Sequence, residues 1–136
     1  YEYRIYRAEF SMPVKRLYSY FFYRPLDIVC MREAAACLEG EHDFRSFCQT
    51  GAQVESTVRT LYAVQVEEQG ADLVVKIRGN GFLYNMVRII VGTLIEVGQG
   101  KREPESMWEV LAARDRCAAG PTAPAHGLTL VKYEFL

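Results

Sequence analysis

The chain has 136 residues and a mass of 15.5 kDa, the size of one ordinary domain. Half of its residues are hydrophobic, which excludes a disordered, collagen-like or low-complexity polypeptide. Sixteen basic residues stand against seventeen acidic ones, for a net charge of −1, so the chain as a whole carries no field that would announce a nucleic-acid partner. Locally the balance differs. Arg4, Arg7, Lys15, Arg16 and Arg24 meet only Glu2 and Glu9 at the start of the chain.

Tyr1, Tyr3 and Ile5 alternate with Glu2, Arg4 and Tyr6, the period of a strand with two different faces. A chain that opens in mid-strand, without a lead or an initiator Met, reads as a piece of a longer protein. Ser11 to Arg24 is basic and aromatic, with Tyr18, Tyr20, Phe21, Phe22 and Tyr23 crowded together, and Pro13 and Pro25 mark it as a connection. Asp27 is placed to cap a helix over Ile28 to Leu38, where Ala34, Ala35 and Ala36 favour the helix and Gly40 stops it. Glu41 to Phe47 reads as a polar loop anchored by Phe44 and Phe47.

Val58, Thr60, Tyr62, Val64 and Val66 alternate with Arg59, Leu61, Ala63, Gln65 and Glu67. With the turn residues Gly70-Ala71-Asp72 and a second run from Leu73 to Arg78, this predicts a β-hairpin. Phe82 to Val97 predicts a mostly buried helix ended by Gly98-Gln99-Gly100, and Pro104 precedes a shorter one over Glu105 to Ala113. Gly127 to Phe135 predicts a closing strand. The expected class is α+β: a mixed, mainly antiparallel sheet with helices packed on one face, in a single domain over residues 1–136.

Cys30, Cys37, Cys48 and Cys117 form no CxxC pair and have no histidine at ligand spacing, so no metal site is expected. They read as reduced thiols of a cytoplasmic protein without a signal peptide. No apolar run reaches the roughly eighteen residues of a membrane helix. Ser46 and Ser56 lack a His–Asp partner, His42 and His126 are isolated, and Asp43 suits a turn or cap better than catalysis.

Arg88 stands out. It is the only charged residue between Gly81 and Ile95, and the nearest carboxylate along the helix, Glu96, is out of reach. A guanidinium keeps its proton, so a buried one needs an anion or several acceptors. That partner comes from elsewhere in the fold, from a segment outside the chain, or from a phosphate; otherwise the side chain snorkels to solvent. Tyr1 and Tyr3, on one strand face, are either core tyrosines or a stacking platform for bases.

Five stretches together have a recognisable order. Gly40-Glu41-His42-Asp43-Phe44-Arg45-Ser46-Phe47 is followed by Arg59-Thr60 and by Gly79-Asn80-Gly81-Phe82-Leu83-Tyr84-Asn85-Met86-Val87-Arg88. Asp115-Arg116 and Thr122-Ala123-Pro124-Ala125-His126-Gly127-Leu128 close the series. Over nearly its whole length the chain resembles the C-terminal half of the tRNA pseudouridine synthase A family. The resemblance implies an enzyme that isomerises uridine to pseudouridine in the anticodon stem-loop of tRNA, without a metal or organic cofactor. It implies a homodimer, with the active site in a cleft between two pseudo-symmetric halves.

Carried over by position, Arg88 matches the arginine that pairs with the catalytic aspartate. Tyr1 matches the tyrosine that stacks on the target base, and Leu128 the aliphatic pocket wall. The family's aspartate lies in a Gly-Arg-Thr-Asp motif that does not occur here, so the chain on its own is expected to be catalytically silent. The expected RNA footprint is Arg4, Arg7, Lys15, Arg16, Arg24, Arg45, Arg59, Lys101 and Arg102, while the aromatics from Tyr18 to Tyr23 suit either RNA or a dimer contact. The competing readings are a non-catalytic module of the same family that binds structured RNA and a dimerisation domain.

Overall fold

The computed structural model describes residues 1–7, 20–22, 25–49 and 54–130. In chain order these form β1 (Glu2–Arg7), β2 (Tyr20–Phe22), α1 (Ile28–Leu38), β3 (Gly40–Asp43), β4 (Val58–Gln69) and β5 (Asp72–Gly79). α2 (Met86–Gly98), α3 (Ser106–Ala113) and β6 (Leu128–Thr129) follow. The strands make one sheet in the order β2-β1-β5-β4-β3, and β6 pairs with β1 beside β2. All pairings are antiparallel except β1 with β2. The class is therefore α+β with a mixed, mainly antiparallel sheet. Most of the crowded aromatic stretch and the distal part of the closing strand lie outside the described residues.

The hairpin forms where alternation and turn residues placed it. Gln69 pairs with Asp72 across Gly70-Ala71, and Gly70 takes the left-handed conformation, φ +63°, that so tight a turn requires. Its register corrects the sequence reading at one point. Leu61 pairs with Gly79 but Ala63 with Arg78, so Tyr62 is an extra residue, a β-bulge. The bulge exchanges the faces of the strand. Leu61, Val64 and Val66 turn inward, while Tyr62 and Val58 face solvent. The simple alternation had placed Tyr62 with Val64 and Leu61 opposite.

The stretch from Glu41 to Phe47 is also more ordered than a polar loop. Residues 40–43 are β3, the end strand of the sheet, and Arg45–Phe47 form a short 3-10 turn. An edge strand can be polar because backbone pairing with β4 holds it, not an apolar face. Phe44 and Phe47 are fully buried anchors, as expected.

α1 buries Met31, Ala34, Ala35 and Leu38, one stripe at helical spacing, against β4 and α2. Asp27 caps it: the carboxylate accepts from the backbone N–H of Cys30 at 3.1 Å. That bond pulls the Asp27 carboxyl below the usual carboxylate range. The backbone N–H of Asp27 also donates to the Gly98 carbonyl at 2.8 Å, which ties the start of α1 to the end of α2. α2 is the central helix. Of its residues only Arg88 and Glu96 escape burial.

Candidate functional site

The N-terminal end of α2 is where the chain departs from the expected helix start at Phe82. Asn85 has φ 60° and ψ 11°, a left-handed conformation that no right-handed helix contains. A separate turn therefore precedes the helix, closed by the Met86 N–H on the Leu83 carbonyl at 3.0 Å, and the helix begins at Met86. The turn brings the Phe82 ring edge-on to the Tyr1 ring, with centroids 5.0 Å apart. Tyr1 is fixed in turn by two backbone bonds with Ile77, of 3.0 and 2.9 Å, which extend the β1–β5 pairing by one residue.

Leu128 arrives from the other side of β1. It pairs with Tyr3 in the β1–β6 ladder. The approach is close because Gly127 lies against the Tyr3 ring, where an added Cβ would come within 2.7 Å of its Cζ. The Tyr3 hydroxyl donates to the Pro124 carbonyl. Of the tyrosines at 1 and 3, Tyr1 lines the pocket described below, whereas Tyr3, like Ile5, is fully buried and is a core residue.

Arg88 is held by two acceptors. Its Nε donates to the Ala123 carbonyl at 2.7 Å, and its Nη1 to Asn85 Oδ1 at 3.1 Å. The Ala123 N–H donates back to the Arg88 carbonyl at 3.0 Å, so the loop and the helix grip each other at one residue. Glycines permit this contact. A Cβ on Gly92 would overlap the Pro121 carbonyl oxygen, and one on Gly120 would fall 2.9 Å from Thr93 Cα. The Gly120 N–H donates to Thr93 Oγ at 2.9 Å, and the Arg116 guanidinium braces Gly120 and Thr122.

These elements enclose an open pocket of about 330 Å³ lined by Tyr1, Phe82, Tyr84, Asn85, Arg88 and Leu128 among others. The three residues singled out from the sequence, 40 to 127 positions apart along the chain, thus meet at one site. Among the described residues no carboxylate pairs with Arg88. A guanidinium has five N–H donors, and among the described residues none accepts from those on Nη2. The pocket can take a flat ring beside Tyr1 and Leu128 and an anion at Arg88.

The basic residues divide by their surroundings. Arg4 pairs with Asp72 at 2.7 Å, and Arg102 pairs with Glu96 at 2.9 Å and also donates to the Ala118 carbonyl. Arg59 donates to the Ser56 and Val58 carbonyls and lies against Gly81. Arg45 and Lys101 are exposed. Arg7 ends β1, and Lys15, Arg16 and Arg24 lie outside the described residues.

The remaining candidates have structural places. Asp43 accepts from the Arg45 N–H at 3.1 Å and from Thr57 Oγ at 2.6 Å, a turn role. Ser46 is buried, donating to the Val110 carbonyl and accepting from the Asp115 N–H. His42 packs against Phe44 and Trp108. Among the described residues no cluster could hold a metal ion, and no helix is long and apolar enough to cross a membrane. Sequence alone does not single out Asn85 and Gln49, whose side chains bond each other and of which Asn85 also bonds Arg88. An asparagine three positions before the arginine was the available signal; Gln49 gave none, because only the tertiary fold brings it near.

An α+β chain with an arginine, aromatic rings and an aliphatic wall around one open pocket has the attributes of a ligand-handling domain. Comparison with known proteins makes this specific. The family model described as tRNA pseudouridine synthase matches residues 34–135, and the chain belongs to that family. It is 61% identical over 106 residues to tRNA pseudouridine synthase A of Brevibacillus brevis, covering 78% of this chain and 43% of that protein. With the protein of the same name from Halalkalibacterium halodurans it shares 52% identity over 128 residues, 94% of this chain and 49% of the relative. The Geobacillus kaustophilus protein is 48% identical over 136 residues, 98% and 53%. The chain spans about half the length of the curated relatives it matches.

Proposed function

We propose that these 136 residues form the C-terminal domain of a cytoplasmic, homodimeric tRNA pseudouridine synthase acting on uridines of the anticodon stem-loop. The observation that carries this reading is the convergence of Tyr1, Leu128 and Arg88, which has no carboxylate partner among the described residues, on one pocket in a chain of that family. The reaction is an isomerisation. The bond from the ribose to N1 of uracil breaks, the base turns, and a bond to C5 forms while the C5 hydrogen leaves as a proton. Nothing is oxidised or reduced, so the balance needs no cofactor.

In this reading the Tyr1 ring stacks on the uracil and Leu128 forms the apolar wall. Arg88 receives the carboxylate of a catalytic aspartate contributed by a part of the protein outside these residues. A guanidinium at hydrogen-bond distance keeps such a carboxylate ionised and holds it in one orientation toward the sugar and base. Arg45, Arg59 and Lys101, with Arg7, Lys15, Arg16 and Arg24, supply phosphate contacts. Arg4 and Arg102 can join them only while keeping or exchanging their present carboxylate partners.

Tritium release from tRNA transcripts carrying 5-tritiated uridine tests the reading. The full-length protein should release tritium with a chelator present, and its Arg88→Ala variant should not. Tight binding of the transcript without release by the wild-type protein would replace the enzyme with a binding module.

A further inference from the structure

We propose that Asn85 is a positioning residue for Arg88 and that Gln49 holds Asn85 in that role. The inference rests on the reading of Arg88 as the partner of a catalytic carboxylate. Asn85 immediately precedes α2, where an asparagine ordinarily accepts a bond from an N–H two or three residues on. Here its side chain caps nothing. Its left-handed backbone, which asparagine tolerates better than most residues, is used instead to set the amide beside the guanidinium.

The amide is bound at both ends. Asn85 Oδ1 accepts from Arg88 Nη1, and Asn85 Nδ2 donates to Gln49 Oε1. Gln49 is itself anchored, its backbone N–H donating to the Tyr84 carbonyl at 3.2 Å. A guanidinium only donates, so the oxygen of Asn85 must face it, and the carbonyl of Gln49 keeps the amide turned that way. With Nε on Ala123 and Nη1 on Asn85, two of the three nitrogens are fixed, and Nη2 is the one presented to a carboxylate. A long side chain that would otherwise sample many rotamers is set before the carboxylate arrives.

Single-turnover conversion of a tRNA transcript by the full-length protein separates this role from a purely structural one. Asn85→Ala should slow conversion by about ten- to a hundredfold with transcript affinity unchanged. Gln49→Ala should slow it less, and the double variant should be no slower than Asn85→Ala alone, because the two act in series. Asn85→Gly keeps the left-handed backbone but removes the amide, and should be as slow as Asn85→Ala. If Asn85→Ala does not fold, the glycine variant carries the test. A wild-type rate in Asn85→Gly would overturn the proposal, since the backbone alone would then suffice. A wild-type rate in Arg88→Ala would instead sink the reading on which the proposal rests, whereas normal Asn85 variants beside an inactive Arg88→Ala would sink the Asn85 role alone.

Discussion

The two ends of α2 are built to opposite rules. From Val91 to Gly98 the helix is buried on nearly every side, and its glycines are filled by neighbouring atoms: Pro121 at Gly92, Met31 at Gly98. At the other end a left-handed Asn85 breaks the chain direction, an arginine reaches an open pocket, and its Nη2 has no acceptor among the described residues. The lesson is a division of labour along one helix. Close packing over two turns fixes the axis, and that fixed axis lets a few polar atoms at the far end be aimed.

The contrast can be broken first at the open end. In the full-length protein Arg88→Lys should lower turnover by about a hundredfold or more, because an ammonium cannot reproduce the planar fork that grips a carboxylate and the Ala123 carbonyl together. Stability in urea should change little, as the lysine stem covers the same apolar surface. A large loss of stability with intact turnover would reverse the assignment of the two ends.

Gly92→Ala attacks the packed end. Its Cβ overlaps a backbone carbonyl, which cannot swing aside, so the loop at 121–123 must move. We expect a destabilisation of about 1–3 kcal/mol in urea unfolding, reduced by up to about 1 kcal/mol from the helix preference of alanine. Turnover should fall as well, since Ala123 leaves Arg88 Nε. Gly98→Ala sharpens the point, because its Cβ would meet the Met31 side chain at 2.8 Å, a flexible thioether that can rotate away. Mild overpacking offset by the helix preference of alanine should leave a net effect below about 1 kcal/mol, with turnover unchanged.

The smallest effect is electrostatic. Asp27 caps α1 and meets Gly98 at the packed end of α2. Its folded carboxyl is held low by the Cys30 N–H, so its contribution to stability is present above the unfolded value of about 3.9 and disappears as pH falls through the lower folded value. The difference in urea midpoint between wild type and Asp27→Ala should therefore be visible at neutral pH and vanish in strong acid. A difference that persists there would assign the cap to something other than the carboxylate.

What could be read from the sequence follows the range of the forces involved. α1 was legible to the residue because Asp27, the alanines and the stripe from Met31 to Leu38 are local signals. The hairpin was legible for the same reason, but the Tyr62 bulge was not, since it depends on which register lets Leu61 and Val64 both reach the core. β3 was missed because backbone pairing at a sheet edge leaves no hydrophobic pattern. At the candidate site, motif resemblance and an odd charge in an apolar run single out Tyr1, Arg88 and Leu128, which the fold brings to one pocket. Asn85 and Gln49 are not singled out, because their meaning arises from a left-handed turn and a contact across 36 residues.

The most direct measurement is a crystal structure of the full-length protein at a resolution that fixes side chains. We expect an aspartate carboxylate within hydrogen-bond distance of Arg88 Nη2, at the mouth of the pocket formed with Tyr1 and Leu128. An Arg88 that faces solvent alone, or a pocket sealed by an apolar segment with no carboxylate in reach, would contradict the assignment.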